Sequence, residues 1–197
     1  MIRVLFVCTG NTCRSPIAEA MLSQLAAESN LPLEVKSAGV STVTGIPTSE
    51  KSKQALLVKG ISFSGQSQPV TKELLDWADY ILTMTESHKQ TLLLNHPHII
   101  DKAFTLKQFA WMNEEHEQLY KQLDSYIAEL QTQIQLGQPI DEELRQKAIE
   151  LEAKLPDFDI SDPFGGSQLD YNEAAQEIEA AVQSIFKKFK TNLEKQD

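Results

Sequence analysis

The segment that most restricts how this chain can fold is Val7-Cys8-Thr9-Gly10-Asn11-Thr12-Cys13-Arg14-Ser15-Pro16. Ahead of it, Ile2 to Val7 is an apolar run broken only by Arg3, with the length and β-branched content of a strand buried on both faces. Cys8 therefore stands at the C-terminal end of a strand. Beyond Arg14, Ser15 is a good helix N-cap and Pro16 suits a first helical turn, where its missing N–H is not needed. The loop between holds Gly10 and Asn11, the residue types that most readily take left-handed backbone angles and turn successive N–H groups toward one point. Strand, anion-collecting loop and helix in that order predict the opening of a parallel sheet with its helix packed back on it.

The same residues carry a chemistry. A thiol attacks phosphorus only as thiolate, and inward N–H groups, a helix N-terminus and a guanidinium all favour the ionised form of Cys8. Arg14 offers a planar two-pronged donor for two phosphate oxygens through an in-line displacement. The Ser15 hydroxyl can hydrogen-bond the sulfur and make it a better leaving group when water attacks a cysteinyl phosphate. Other readings of Cys-x4-Cys are a pair of buried thiols, a zinc half-site or a redox couple. The only cysteines are Cys8 and Cys13, and His88, His96, His98 and His116 lie far along the chain, so no second pair stands at zinc-ligand spacing. A nucleotide-binding loop needs Gly-x4-Gly-Lys-Ser/Thr, and no Lys is present here. A metal-free, cofactor-free phosphate site is the expectation.

Downstream, helical and strand-like patterns alternate. Ser15 to Ser29 carries Ile17, Met21 and Leu25 on one stripe, and Leu33 to Ser37 alternates before Ala38-Gly39. A Ser-, Thr- and Gly-rich surface loop then runs to Pro47, followed by a helix-like stretch from Thr48 to Lys59 that stops at Gly60. Asp79 to Met84 reads as strand, Glu86 to Leu94 as helix, and Ala103 to Leu106 as a short strand. This order predicts an α/β fold, a doubly wound parallel sheet of about four strands flanked by helices, with ligands bound at the strands' C-terminal ends. From Asn113 to Leu155 the pattern changes: Leu119, Leu123, Ile127, Leu130 and Ile134 keep helical spacing, Gly137 and Pro139 break it, and Leu144, Ala148, Leu151 and Leu155 resume it. A helical hairpin inserted at about 113–155 in a single domain, 1–197, is predicted. Ile178, Val182, Ile185 and Phe189 on the last helix form a candidate core face.

A chain of 197 residues suits one domain with a sizeable core. Its formal net charge of −10 speaks against nucleic acid or anionic membrane as partner. No stretch approaches the ~20 apolar residues of a membrane span, and the N-terminus lacks a charged region followed by a cleavage site. A cytoplasmic monomer acting on phosphorylated partners is expected, since a reactive thiol would be lost in an oxidising compartment.

Displacing phosphate onto Cys8 expels a leaving group that needs a proton from an acid opposite the thiolate. Asp157-Phe158-Asp159-Ile160-Ser161-Asp162-Pro163-Phe164-Gly165-Gly166 contains the candidates. Asp162 is preferred: Pro163 fixes the backbone after it, Phe164 can desolvate it and raise its pKa, and the glycines let the loop lie close. Asp157 and Asp159 are the fallbacks. An Asp-Pro-Phe-Gly run by itself is an ordinary turn, and Cys8 is what gives it meaning.

Taken together, the Cys8 loop, Ser37-Ala38-Gly39 and Asp162-Pro163-Phe164 resemble the low-molecular-weight protein tyrosine phosphatase family over everything except the hairpin. The resemblance implies Cys8 as nucleophile, Arg14 as phosphate ligand, Asn11 as the residue holding the loop's shape, Ser15 as thiolate stabiliser and Asp162 as general acid. Thr9, Gly10, Thr12, Cys13 and Phe164 would complete the substrate contacts. Tyrosine-directed members usually carry an aliphatic residue at the position of Thr12. The chain is similar in Thr12, and in its Asp-Pro-Phe-Gly-Gly loop, to the bacterial protein arginine phosphatases. A rim hydroxyl offers a hydrogen bond to a guanidinium or to the attacking water, where Ile offers only an apolar wall. Asp162 could then both grip the guanidino group and protonate its leaving nitrogen. The alternatives are a phosphotyrosine phosphatase with an incidental Thr12, or a non-catalytic phosphate-binding or redox-sensing module. Related arsenate reductases need further cysteines near residue 80, and none is present. Cys13 is either a partner for a reversible disulfide with Cys8 or a small buried residue.

Overall fold

A computed structural model describes residues 1–194. Four strands, β1 (Ile2–Cys8), β2 (Leu33–Gly39), β3 (Tyr80–Thr83) and β4 (Ala103–Thr105), form one sheet in the order β2-β1-β3-β4. Every pairing is parallel, as crossovers through helices require. Cys8 stands opposite Gly39, and Val7 opposite Thr83, so three strand ends meet at one edge. The sheet order reverses on either side of β1, which puts the loop after Cys8 at the switch point where such sheets bind ligands.

The period of two along β1 divides the core. Val4, Phe6 and Cys8 pack on one face with α1 (Arg14–Glu28), α2 (Glu50–Leu57) and the last helix, while Leu5 and Val7 face Leu75, Ile81, Leu92 and Ile99. Leu75 comes from α3 (Lys72–Trp77) and Leu92 from α4 (Glu86–Asn95). The chain passes from β4 directly into α5 (Leu106–Trp111). The final helix, labelled α8 (Gln168–Glu194), buries Ile178, Val182, Ile185 and Phe189 completely or nearly so, as its apolar stripe predicts. Each such side chain removed from water contributes about 1.5–3 kcal/mol.

Several boundaries differ from the sequence reading. The first helix starts at Arg14, not Ser15, and its cap position is Cys13 with no side-chain capping bond; the Ser15 hydroxyl turns inward instead. The second helix is shorter than 48–59, because Ser49 takes the cap by accepting from the Ser52 N–H and the chain leaves through Gly60 at φ 77°. The helices at 72–77 and 106–111 are too short for an apolar period to reveal them.

Residues Met112–Asp157 form a second compact unit of two helices, α6 (Glu114–Gln135) and α7 (Glu142–Glu152). Asn113 and Asp141 cap them by accepting from the His116 and Leu144 N–H groups, and Gly137, at φ 63°, makes the turn. Leu123, Ala148 and Leu151 are its buried centre, with Leu119, Tyr126, Leu130 and Leu155 around them. Ile127 and Ile134 of the expected stripe are 40% and 62% exposed. At 3.6 residues per turn the buried line runs through 119, 123, 126 and 130, and Tyr126 takes the place given to Ile127. No helix among the described residues is long and apolar enough to cross a membrane.

Candidate active site

The Cys8 thiol is 2% exposed at the floor of a loop whose shape is set by one side chain. Asn11 takes the left-handed conformation, φ 53°, and its N–H donates to Cys8 Sγ at 3.2 Å. Its Nδ2 donates to Ser15 Oγ at 3.0 Å and to Ser37 Oγ at 2.7 Å, and its Oδ1 accepts from the Gln68 N–H at 2.9 Å. Ser37 in turn donates to Glu19, whose carboxyl burial pushes above its ordinary range. Gly10 is not left-handed, and a Cβ there would meet only Thr12 Oγ1 at an ordinary 3.6 Å. The glycine that the loop needs is Gly39: a Cβ on it would lie 2.6 Å from the Thr9 carbonyl and 3.1 Å from the Asn11 nitrogen. The Val40 and Ser41 N–H groups tie the loop to the end of β2 by donating to the Cys8 and Thr9 carbonyls.

Ser15 Oγ lies 3.0 Å from Cys8 Sγ and 3.5 Å from the Ala38 carbonyl. With a lone pair already filled by Asn11, its single proton is best directed at the nearer sulfur. Among the described residues the N–H groups of Gly10, Thr12 and Cys13 donate to no protein acceptor. Together with the start of α1 they are available to an anion over the thiol.

Arg14 is buried, and donates to the Ile160 carbonyl at 3.2 Å and to Asp162 Oδ2 at 2.8 Å. The structure thus brings the preferred acid to the guanidinium across from Cys8. Asp162 Oδ1 accepts from the Phe164 N–H at 3.2 Å, and its side chain is 53% exposed. The Phe164 ring is 79% exposed and does not take Asp162 out of water, contrary to the desolvating role expected for it. Asp159 is turned elsewhere: its Oδ1 accepts from the Glu86 N–H at 2.7 Å, at the start of α4. Asp157 falls in the hairpin unit. A cavity of about 260 Å³ is lined by Cys8, Thr9, Gly10, Thr12, Cys13, Arg14, Ser41, Asp162 and Phe164. Asn11 and Ser15 lie beneath it.

Two residues of this region are not signalled by motif. Tyr171 on α8 places its hydroxyl 3.3 Å from Cys13 Sγ, and burial, followed by that contact, pushes its phenol up to about 12. His88 on α4 bonds Thr9 Oγ1 through Nε2 and Thr85 Oγ1 through Nδ1, each at 2.8 Å. Burial, then the nearby Arg14 cation, pushes its pKa down from 6.5 to about 4. Its only sequence signal is position, three residues past the Thr85 cap at the ligand end of β3. Among the described residues no three His, Cys, Asp or Glu side chains gather as a metal cluster.

A family model described as low molecular weight phosphotyrosine protein phosphatase matches residues 3–155. The protein-arginine-phosphatase of Geobacillus stearothermophilus is 35% identical over 190 residues, 96% of this chain and 97% of that protein. The low molecular weight protein-tyrosine-phosphatase YfkJ of Bacillus subtilis is 46% identical over 88 residues, 43% of this chain and 56% of that one. Among solved structures, the YwlE arginine phosphatase from Geobacillus stearothermophilus superposes with a TM-score of 0.73 at 33% identity, covering 100% of this chain and 98% of that one.

Proposed function

The chain belongs to the low molecular weight phosphotyrosine protein phosphatase family and is a cysteine-dependent protein phosphatase, and on that footing we propose that it removes phosphate from arginine side chains of proteins. The observation carrying this reading is the chemistry of the cavity mouth, where the Thr12 hydroxyl and the Asp162 carboxylate line the same space as Cys8. Both are polar, hydrogen-bonding groups suited to a guanidino group, and a phenyl ring would gain little from either. The likeness to the arginine phosphatase of Geobacillus stearothermophilus, in sequence and in structure and over nearly the whole chain, supports the same reading.

In the proposed mechanism the phosphoryl group displaces Asp162 from Arg14, which then holds two phosphoryl oxygens while loop N–H groups take the rest. The Cys8 thiolate attacks phosphorus in line and the P–N bond breaks. Released from Arg14 and protonated from solvent, the half-exposed Asp162 accepts one guanidino N–H through its carbonyl oxygen and gives its proton to the leaving nitrogen. The resulting carboxylate takes a proton from the water that attacks the cysteinyl phosphate. The S–P bond then breaks with Ser15 donating to the departing thiolate. Asn11 keeps the loop in register throughout. The whole chain acts as one phosphatase domain that the hairpin interrupts, working as a monomer in the cytoplasm, where the thiol stays reduced.

Phosphate release from phosphoarginine and phosphotyrosine peptides, measured in parallel with chelator and reductant present and Cys8→Ser as the blank, tests the assignment. Strong preference for phosphoarginine is expected. Preference for phosphotyrosine would overturn the substrate and keep the nucleophile and acid; the partial likeness to YfkJ favours that second reading.

A further inference from the structure

We infer that His88 is a positioning residue of the phosphate site, which holds the Thr9 side chain so that the Thr9 hydroxyl donates its proton to a phosphoryl oxygen over Cys8. This deepens the phosphatase reading and rests on it. The starting point is a proton count along Thr85, His88 and Thr9. Thr85 Oγ1 caps α4 by accepting the His88 backbone N–H at 3.3 Å, and it lies 2.8 Å from His88 Nδ1. His88 Nε2 lies 2.8 Å from Thr9 Oγ1.

Two proton arrangements satisfy those distances. If Nδ1 carries the ring proton, the half-buried Thr85 hydroxyl accepts twice and its own proton has no acceptor among the described residues, while Thr9 donates to Nε2. If Nε2 carries it, Thr85 donates to Nδ1, Nε2–H fills a lone pair of Thr9, and the proton left over is that of Thr9. Thr9 is exposed and lines the cavity over the thiol, so a proton left over there is available to water or to substrate. A proton without a partner at Thr85 would be costly by comparison, so the second arrangement wins. Burial, and after it the nearby Arg14 cation, opposes a positive charge on the ring, which keeps the imidazole in the single-proton form that this relay needs.

The two ring nitrogens give the inference its test, because Asn places its amide near the Nδ1 position of His and Gln places it near the Nε2 position. His88→Asn can still reach Thr85 and loses Thr9; His88→Gln can still donate to Thr9. Peptide turnover and inorganic phosphate titration are measured for the wild type, Thr9→Val, His88→Asn, His88→Gln and the Thr9→Val/His88→Asn double variant, with melting curves for each. About a tenfold fall in kcat/KM and in phosphate affinity is expected for Thr9→Val and for His88→Asn, a ring-mimicking His88→Gln within about threefold of wild type, and a double variant no worse than Thr9→Val alone. Unchanged phosphate affinity in Thr9→Val, equal losses in the Asn and Gln variants, or a double loss equal to the product of the singles would overturn the inference. If His88→Asn does not fold, Thr9→Val against His88→Gln decides. Wild-type turnover, lost in Cys8→Ser, tests the site reading separately, since the phosphate titration reads the Thr9 donor even where neither peptide turns over.

Discussion

The two halves of the reacting centre are held in opposite ways. The Cys8 loop is buried and tied at many points: Asn11 alone bonds the thiol, Ser15, Ser37 and Gln68, and Gly39 presses against it too closely to admit a methyl group. The acid loop reaches the same cavity with a half-exposed Asp162 held by Arg14 and by a local turn to Phe164. A thiolate that receives phosphorus in line must be in place before the substrate arrives, because a misplaced nucleophile loses the advantage of proximity. The proposed acid has another duty. Asp162 is ion-paired with Arg14, so in the proposed mechanism it gives way to the phosphate and then turns to the leaving group. The difference teaches that preorganisation is concentrated under the nucleophile, and that exchange of one ion pair is left to the acid.

The comparison can be broken most directly at Asp162. Asp162→Asn is expected to lower kcat about 10²–10⁴-fold for substrates with poor leaving groups and much less for activated aryl phosphates, with little change in melting temperature. Equal loss on all leaving groups would remove Asp162 as the acid. Asn11→Ala should behave in the opposite manner, with a loss of about 2–3 kcal/mol in stability together with activity on every substrate alike, because buried partners lose their bonds at once. A denaturation curve beside the kinetics separates the two. Thr12→Ile, at the rim between both loops, should shift preference toward aryl phosphate by about tenfold, read as the ratio of kcat/KM for phosphotyrosine and phosphoarginine peptides.

A gentler probe is pH. His88 is depressed to about 4 from 6.5, so between those values the unfolded chain takes up a proton that the native protein refuses. Stability from this site is complete above pH 6.5 and falls as pH drops toward 4. The charged groups facing the ring are Arg14, which opposes protonation, and Asp162 and Asp159, which favour it. His88→Gln should flatten that part of the stability curve, as followed by denaturant titration at several pH values. Smallest of all, Phe164→Ala should change stability by no more than about 0.5 kcal/mol, because the ring is already in solvent.

Much of the fold and the centre of the site were legible in the residues. The strand, loop and helix around Cys8 are contiguous, and their roles follow from short-range rules about β-branched runs, turn residues and the first helical turn. The parallel sheet followed from alternating patterns, and the core face of the last helix from its period. Short elements escaped, since Lys72–Trp77 and Leu106–Trp111 hold too few residues to show a period. Local rules also offered Ser15 as a cap, where only its expected bond to the thiol forms, and offered left-handed angles to Gly10 and Asn11, of which Asn11 alone takes them; the close approach that needs a glycine falls at Gly39.

What the sequence by itself determined, then, was the chemistry of one continuous segment and the class of sheet that must support it. The sequence preferred Asp162, but only the tertiary structure sends it to Arg14 and sends Asp159 to the start of α4. It also brought His88 to Thr9 across 79 residues and Tyr171 to Cys13 across 158. The physical reason is range. Backbone angles and caps are settled by neighbours a few residues away, whereas a hydrogen bond between distant side chains exists only after packing has brought both elements to the same end of the sheet.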